Sequence, residues 1–410
     1  MADINDPQQY GDKLAGELDR LQDSPIAEAD RRAIREMVTY MDSVEDLATS
    51  TIRSHASSAR TTAERADQPL VEMDETDLDD LWFALRHDHD LSKGTVRNVK
   101  KALTKLYRVR NDEELADSFD VGSSKAHEVE VDETDLLTDD EIDAFLDAAP
   151  TARDKAQIAV LLDVGLRIGA LASLRVGDLS FTEDAALITI NSEAHTKGAR
   201  GTVPVTWSRG HLANWLEVHP ANDDPSAALF CPLPTATTVD PGSDALTTDT
   251  LRRRLKRVAR LAGVDPGRAN PHRFRKTAIS QWVRDRLSEQ EIKHRAGWTK
   301  DSQQMRVYAP ITDEEFNDQI LSHYDLAETD ASGPSLSTCP MCGTSLRERT
   351  RFCPSCGSAL DPVAAEVADD ATDDVLDDLT DADLDEDAQQ VARAVLDMIR
   401  SDPSTVAEDD

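Results

Sequence analysis

Four of the five cysteines stand in two matching knuckles, Cys339-Pro340-Met341-Cys342 and Cys353-Pro354-Ser355-Cys356, ten residues apart, each followed by a glycine. Two such pairs can bring four thiolates to one point, and the glycines let the backbone turn around an ion. The spacing predicts a zinc ribbon over 338–360 that holds one structural zinc ion on Cys339, Cys342, Cys353 and Cys356. A redox dithiol pair is the competing reading. With protein filling all four positions, the ion keeps no open site for catalysis. Clustered thiols point to a metal in a reducing compartment rather than to disulfides, and Cys231 reads as an ordinary core thiol.

At 410 residues the chain suits two or three domains. Its formal net charge of −35 is the reverse of what a nucleic-acid binder usually carries. Asp is used heavily in every segment, Lys is scarce beside Arg, and aromatics make up 4%. Acidity spread in this way suits a cytoplasm rich in potassium salt, so the sequence reads as halophilic; an ordinary acidic protein with a disordered tail is the plainer alternative. High salt weakens the gain from counterion release, so a DNA binder in such a medium should concentrate its positive charge. The stretch Leu251-Arg252-Arg253-Arg254-Leu255-Lys256-Arg257-Val258-Ala259-Arg260 does so. No apolar run approaches the roughly 18 residues of a membrane span, and Met1 to Leu18 lacks a signal peptide's apolar core. The expectation is a cytoplasmic protein with no membrane partner.

Periodicity divides the chain further. Residues from about 5 to 110 read as helices, among them Ala27 to Thr39, a run opening at Ser50-Thr51, and a basic amphipathic run from Val96 to Arg108 capped by Ser92. Asn111 to Glu133 is acidic and reads as a linker. Thr138 to Glu141 resembles a capping box for a helix to Leu146, and Ala156 to Val164 is an apolar helix followed by Gly165-Leu166-Arg167-Ile168. Ala186 to Ile190 and Gly201 to Trp207 alternate like paired strands around the turn His195 to Arg200. Helices resume over Thr250–Ala262, Arg275–Asp285, Ser288–Ala296 and Asp313–Leu321. The fold class expected is mainly α: a helical N-terminal domain (1–112), an acidic linker (113–133) and a mixed α+β domain with a small antiparallel sheet (134–328). The ribbon (338–360) and an acidic tail (361–410) follow.

Three features of the second domain converge: Arg167 between two helices, Lys197 at the tip of the hairpin, and Pro271-His272-Arg273-Phe274-Arg275 followed by Gly297-Trp298 and Val307-Tyr308. Singly each has a bland explanation, as a surface ion pair, a structural histidine or a core tyrosine. In order and spacing the set resembles the tyrosine recombinase (phage integrase) family, whose pattern runs Gly-Leu-Arg, a hairpin lysine, His-x-x-Arg, a Gly-His or Gly-Trp pair, and a tyrosine nine or ten residues on. The resemblance covers about residues 30–328, strongly in the second domain and loosely in the first. It implies a core-binding (SAM-like) helical domain followed by the catalytic domain.

The family's chemistry suits these residue types. Phosphodiester cleavage spreads negative charge over non-bridging oxygens, which Arg167 and Arg275 would clamp with planar donor forks. Tyr308 would attack phosphorus and leave a 3′-phosphotyrosine that stores the bond for rejoining. His272 would donate to phosphate or accept the tyrosine proton, Lys197 would protonate the departing 5′-oxygen, and Trp298 would pack the site and offer its indole N–H. By the same resemblance, neither metal nor ATP enters the reaction. The family often has an acidic residue three positions after the first arginine; here that position is Ala170, and Asp178 is the expected substitute.

The implied partners are double-stranded DNA recombination sites and further copies of the chain, as a tetramer on DNA. Lys93, Arg97, Lys100, Lys101, Lys105 and Arg108 on the first basic run, with Arg252, Arg253 and Lys256 on the second, would touch phosphate and position the protein without reading sequence. A solvated basic face is the competing reading for the first run. Phe316, Ile320, Leu321 and Tyr324 would dock on a neighbouring protomer or pack internally. The ribbon's ligand, DNA or an unknown protein, stays open. The Asp-rich tail reads as solvated, with a DNA mimic that shields the basic cleft as the sharper idea. A catalytically silent, sequence-specific DNA-binding regulator is the alternative function, although such a protein has no use for Tyr308 or Lys197.

Overall fold

The computed structural model describes residues 3–122, 130–182, 185–194, 201–234, 245–308, 338–347 and 350–360, with single residues 317, 336 and 364. The chain divides into two compact units, Gln8–Glu130 and Val131–Asp410, and the second also takes Met1–Pro7. Among the described residues no helix is long and apolar enough to cross a membrane.

The first unit is built from α1 (Tyr10–Asp23), α2 (Glu28–Ser43), α3 (Thr49–Ala63), α4 (Glu75–His87), α5 (Lys93–Val109) and the short α6 (Glu113–Asp117). Helix α3 packs against α1, α2 and α5. Its Ala-, Ser- and Thr-rich sequence explains the central place, because small side chains let three neighbours approach at once. Leu21, Ile34, Met37, Met41, Ile52, Leu103 and Leu106 fill the core. A buried carboxylate, Glu17, is matched by Arg60 at 2.7 Å, so the charge does not stand alone in the interior. Helix α5 begins as its sequence predicts, with the Ser92 hydroxyl accepting from the Thr95 amide.

Two expectations need correction here. Helix α3 starts after Ala48, with no side-chain cap, so Ser50 and Thr51 lie inside its first turn rather than at its cap. The stretch expected as linker opens with α6, because Asp112 accepts from the Leu115 amide and caps a turn whose Ala116 is buried.

In the second unit, α7 (Asp139–Asp147), α8 (Ala152–Asp163) and α9 (Ile168–Ala172) lead into a sheet of β1 (Leu179–Phe181), β2 (Ala186–Thr189) and β3 (Thr202–Val205). Helices α10 (Arg209–Glu217), α11 (Thr248–Leu261), α12 (Pro271–Arg284) and α13 (Glu289–Arg295) follow. Thr138 and Glu141 form the full capping box of α7. Helix α8 is buried on nearly every side among α7, α10 and α12, and carries Arg153, Asp154, Gln157 and Asp163 into the interior with its apolar residues. All neighbouring strands are antiparallel, and Ala186 pairs with Val205 and Ile188 with Val203 on the buried face. The expected two-stranded hairpin gains a third strand, β1; its three residues alternate too briefly to be read from sequence.

Residues 3–7 pack with this second unit. Ile4 lies against its core, and the Asn5 side-chain oxygen accepts from Asn191 at 3.2 Å and Arg175 at 3.3 Å. The expected helix Asp313–Leu321, the hairpin tip 195–200 and the acidic tail lie outside the described residues.

The ribbon is two copies of one turn. Cys339 N–H donates to the Thr344 carbonyl and Gly343 N–H to the Cys339 carbonyl; Cys353, Ser358 and Gly357 repeat the pattern. Gly343 at φ 70° and Gly357 at φ 72° supply the left-handed step that other residues resist. Arg347 reaches out of the ribbon to Asp139 at 2.6 Å and Asp143 at 2.5 Å on α7, and the Asn214 amide on α10 donates to the Pro354 carbonyl.

Candidate active site and metal centre

The turn between α8 and α9 places the first arginine. Gly165 has φ 61°, and a Cβ there would lie 2.9 Å from the Trp282 ring, so glycine is required twice over. Arg167 then caps α9 with its backbone, leaving its side chain to project. Helix α12 supplies the next two groups. Asn270 accepts from the His272 amide, and Pro271 occupies the first turn. His272 and Arg275 follow one turn apart on one face.

Arg275 is 4% exposed and donates to the carbonyls of Gly165 at 2.5 Å and Ala296 at 2.6 Å. Burial and the nearby Arg167 push its guanidinium well below the ordinary value. Burial does the same to Arg167, which lies near Tyr308 and whose Nη1 is buried with no hydrogen-bond partner among the described residues. His272 is held below 6.5 by burial and by Lys276, Arg275 and Arg167. No carboxylate appears among the charge partners of either arginine. Among the described residues, the buried Arg275 and the half-buried Arg167 therefore share one place with no carboxylate beside them. Two neighbouring guanidinium groups of this kind favour an anion between them.

Tyr308 ends a turn of 3₁₀ helix, Gln304–Tyr308, whose Val307 carbonyl accepts from the Val131 amide at 2.6 Å. The tyrosine is 4% exposed, and burial raises its phenol to about 12 against the pull of Arg275 and Arg167. Trp298 closes the group, its ring 6.2 Å from that of Tyr308 and 5.8 Å from the Arg275 guanidinium. Arg167, His272, Arg275, Trp298 and Tyr308 therefore meet in one place. Lys197 lies outside the described residues.

Residues 135–315 match the phage integrase family, and residues 338–360 match the zinc-ribbon domain. The chain carries a phage integrase domain. Among solved structures, the chain is similar to the Tn1549 transposon integrase in complex with circular intermediate DNA. There the identity is 14%, covering 70% of this chain and 98% of that one, with a TM-score of 0.52. The same integrase in complex with transposon right end DNA matches at 14% identity over 71% and 99% of the two chains, TM-score 0.51. A lambda integrase tetramer bound to a Holliday junction matches at 13% identity over 68% and 76%, TM-score 0.49. At such identities the likeness is one of fold. Among curated proteins none matches significantly.

Two expectations about this integrase domain change. Asp178 does not support Arg167: its carboxylate accepts from the Arg175 amide and closes a 3₁₀ turn. In the second basic window, Arg254 is turned inward onto the buried Asp154 at 2.6 and 2.7 Å, whereas Arg253, Lys256, Arg257 and Arg260 are exposed. Arg252 pairs with Asp249 at 2.8 Å and Arg253 donates to Thr250. In the first unit, Lys93 and Lys101 are exposed, Arg97 and Lys100 donate to the carbonyls of Gly122 and Asp120, and Lys100 also lies over the Trp82 ring at 5.0 Å. Lys105 is bound to Glu45 and Arg108 to Asp117.

Sequence reasoning missed Asp163 and Arg295, a buried ion pair beneath the site. The available signal was an aspartate inside the apolar run Ala159-Val160-Leu161-Leu162-Asp163-Val164, where a charge demands a partner.

At the metal centre, the four sulfurs of Cys339, Cys342, Cys353 and Cys356 lie within 4.8 Å of one another. Cys339 to Cys356 is 3.6 Å and Cys342 to Cys353 is 3.5 Å. A tetrahedron with metal–sulfur bonds of about 2.3 Å has edges of about 3.8 Å. The donor set therefore fits one structural metal ion. Cys231 is buried elsewhere, with burial pushing its thiol up to about 11, as a core thiol should be.

Proposed function

We propose that this protein is a site-specific DNA recombinase that cuts and rejoins duplex DNA through a 3′-phosphotyrosine at Tyr308. The observation that carries the reading is that Arg275, held by the Gly165 and Ala296 carbonyls, lies close to Arg167, Trp298 and a buried Tyr308, with no carboxylate beside either arginine among the described residues. In this reading the scissile phosphate is the anion between the two arginines. The two guanidinium groups bind its non-bridging oxygens and gain most as charge builds in the transition state. His272, kept neutral, takes the phenol proton as Tyr308 attacks. Lys197 protonates the departing 5′-oxygen, and Trp298 packs against Tyr308 and donates to phosphate. The reverse attack by a 5′-hydroxyl rejoins the strand and releases the tyrosine.

The ribbon's ion is zinc, in a structural role. Lys93, Arg97, Lys100 and Lys101 on α5, with Arg252, Arg253 and Lys256 on α11, meet DNA phosphates, and four protomers assemble on two DNA sites. The dispersed acidity fits work in concentrated potassium salt. The helical unit Gln8–Glu130 would serve DNA binding, the unit from Val131 catalysis, and 338–360 the metal.

The test is to capture DNA covalently bound to the protein from cells under denaturing conditions, comparing wild type with Tyr308→Phe, and to sequence it. Discrete fragments that depend on Tyr308 are expected, and they supply the target sites. DNA retained only non-covalently by both forms would instead identify a silent regulator.

A further inference from the structure

We infer that Asp163 and Arg295 are positioning residues that aim the arginine clamp, an inference that rests on the recombinase reading above. Asp163 is 1% exposed. Its Oδ2 accepts from the Thr206 amide at 2.8 Å, the Ser208 amide at 3.0 Å and the Ser208 hydroxyl at 2.7 Å. Its Oδ1 accepts from Arg295 Nη2 at 2.7 Å and from the Thr206 hydroxyl. Few carboxylates are so fully used, and the cost of burying this one is offset only because every lone pair finds a donor.

What the pair connects matters more than its strength. Asp163 is two residues before Gly165, and Arg295 is one residue before Ala296. The carbonyls of Gly165 and Ala296 are the two acceptors that hold Arg275. The ion pair thus ties together, from below, the two backbone segments whose separation fixes the direction of the guanidinium. Arg295 adds a second bond to the Asp163 carbonyl at 3.1 Å, and Trp282 Nε1 donates to the same oxygen at 3.1 Å. The Arg295 guanidinium lies 4.8 Å from the Trp282 ring, and that ring packs on Gly165. Arg167 follows Gly165 by two residues, so both clamp arginines hang from one frame. With Ala170 at the position where an acid is often found, Asp163 is the carboxylate that organises this turn. It acts through backbone and never touches the phosphate.

A misplacement of about 1 Å at a reacting group can cost about 100-fold in rate. The experiment uses full-length protein and a synthetic duplex bearing a site recovered by covalent capture, with Asp163→Asn and Arg295→Gln compared against wild type. Arg295→Gln is the milder change, because Thr206 and Ser208 still satisfy Asp163. Single-turnover cleavage is measured on the ordinary duplex and on one whose scissile phosphate carries a methyl group in place of a non-bridging oxygen. The methylphosphonate lacks the charge the clamp neutralises. Cleavage of the ordinary duplex is expected to fall about 10- to 100-fold with DNA affinity unchanged. On the methylphosphonate the gap between variants and wild type is expected to close to within a few-fold.

Equal loss on both substrates would mean general destabilisation, and unchanged cleavage by a folded Arg295→Gln protein would mean no role; either overturns the inference. Should Asp163→Asn not fold, Arg295→Gln alone decides. If wild type itself never cleaves, the recombinase reading fails instead, and the two failures are distinct.

Discussion

Arg275 donates to the carbonyl of Gly165 at 2.5 Å, across 110 residues of chain, and this bond ties Arg275 to the turn that carries Arg167. The donors spent on backbone are not spent on a carboxylate, so the positive charge stays available. An arginine fork can hold a carbonyl on each side and still face a phosphate. A lysine ammonium has neither the reach nor the plane.

Arg275→Lys should therefore keep the net charge and lose the function. Cleavage is expected to fall by about 100- to 1000-fold, the usual loss when one donor to a developing oxyanion is removed. DNA affinity in a gel-shift measurement at fixed salt should change little. Cleavage within a few-fold of wild type would show that charge alone suffices.

The pH profile should identify the proton acceptor. His272 sits below 6.5 because of burial and three nearby cations, and a histidine serves as base only when unprotonated. Cleavage under subsaturating conditions, which reports groups of the free enzyme, should fall as pH drops through a value below 6.5 and stay level from there to pH 8. Tyr308, pushed up to about 12, contributes no rise over that range. His272→Ala should lower the plateau by about 100-fold and erase the acid limb. A limb that persists in His272→Ala belongs to another group.

Gly165→Ala puts a methyl group 2.9 Å from Trp282 in a left-handed backbone. Strain and overpacking together should cost about 3 kcal/mol in urea unfolding. A loss under 1 kcal/mol would mean that Trp282 gives way easily.

Much of this was legible in the sequence. Glycines at fixed offsets, Ser and Thr caps, and alternating strands are local signals, and they located α7, α13, β2 and β3 and both zinc knuckles. The set Arg167, His272, Arg275, Trp298 and Tyr308 was picked out by its resemblance to a family pattern, because helical spacing relates only His272 and Arg275, one turn apart on α12. Other features depended on distant partners. Asp178 looked free to serve Arg167, yet its carboxylate is used three residues away on Arg175. The pairing of Asp163 with Arg295 spans 132 residues and follows no period. Asn5 meets Arg175 and Asn191 for equally non-local reasons.

The ribbon should behave as part of the catalytic unit. Removal of its metal, or Cys353→Ser, should abolish zinc recovered with the protein and lower the melting temperature, by about 2–4 °C for each kcal/mol lost. Arg347→Ala, which breaks two half-exposed ion pairs to α7, should cost about 1 kcal/mol with zinc retained. An unchanged melting temperature after metal loss would show that the ribbon contributes nothing to the unit's stability.

The most direct test is the chemical identity of the linkage. Covalent protein–DNA complexes formed by wild-type protein would be trimmed with nuclease, digested with protease, and analysed by mass spectrometry for the peptide that bears a nucleotide. A 3′-phosphonucleotide on Tyr308 is the result expected. The nucleotide on another side chain, such as Tyr324, or attached through its 5′-phosphate, would contradict the assignment of Tyr308 as the attacking residue.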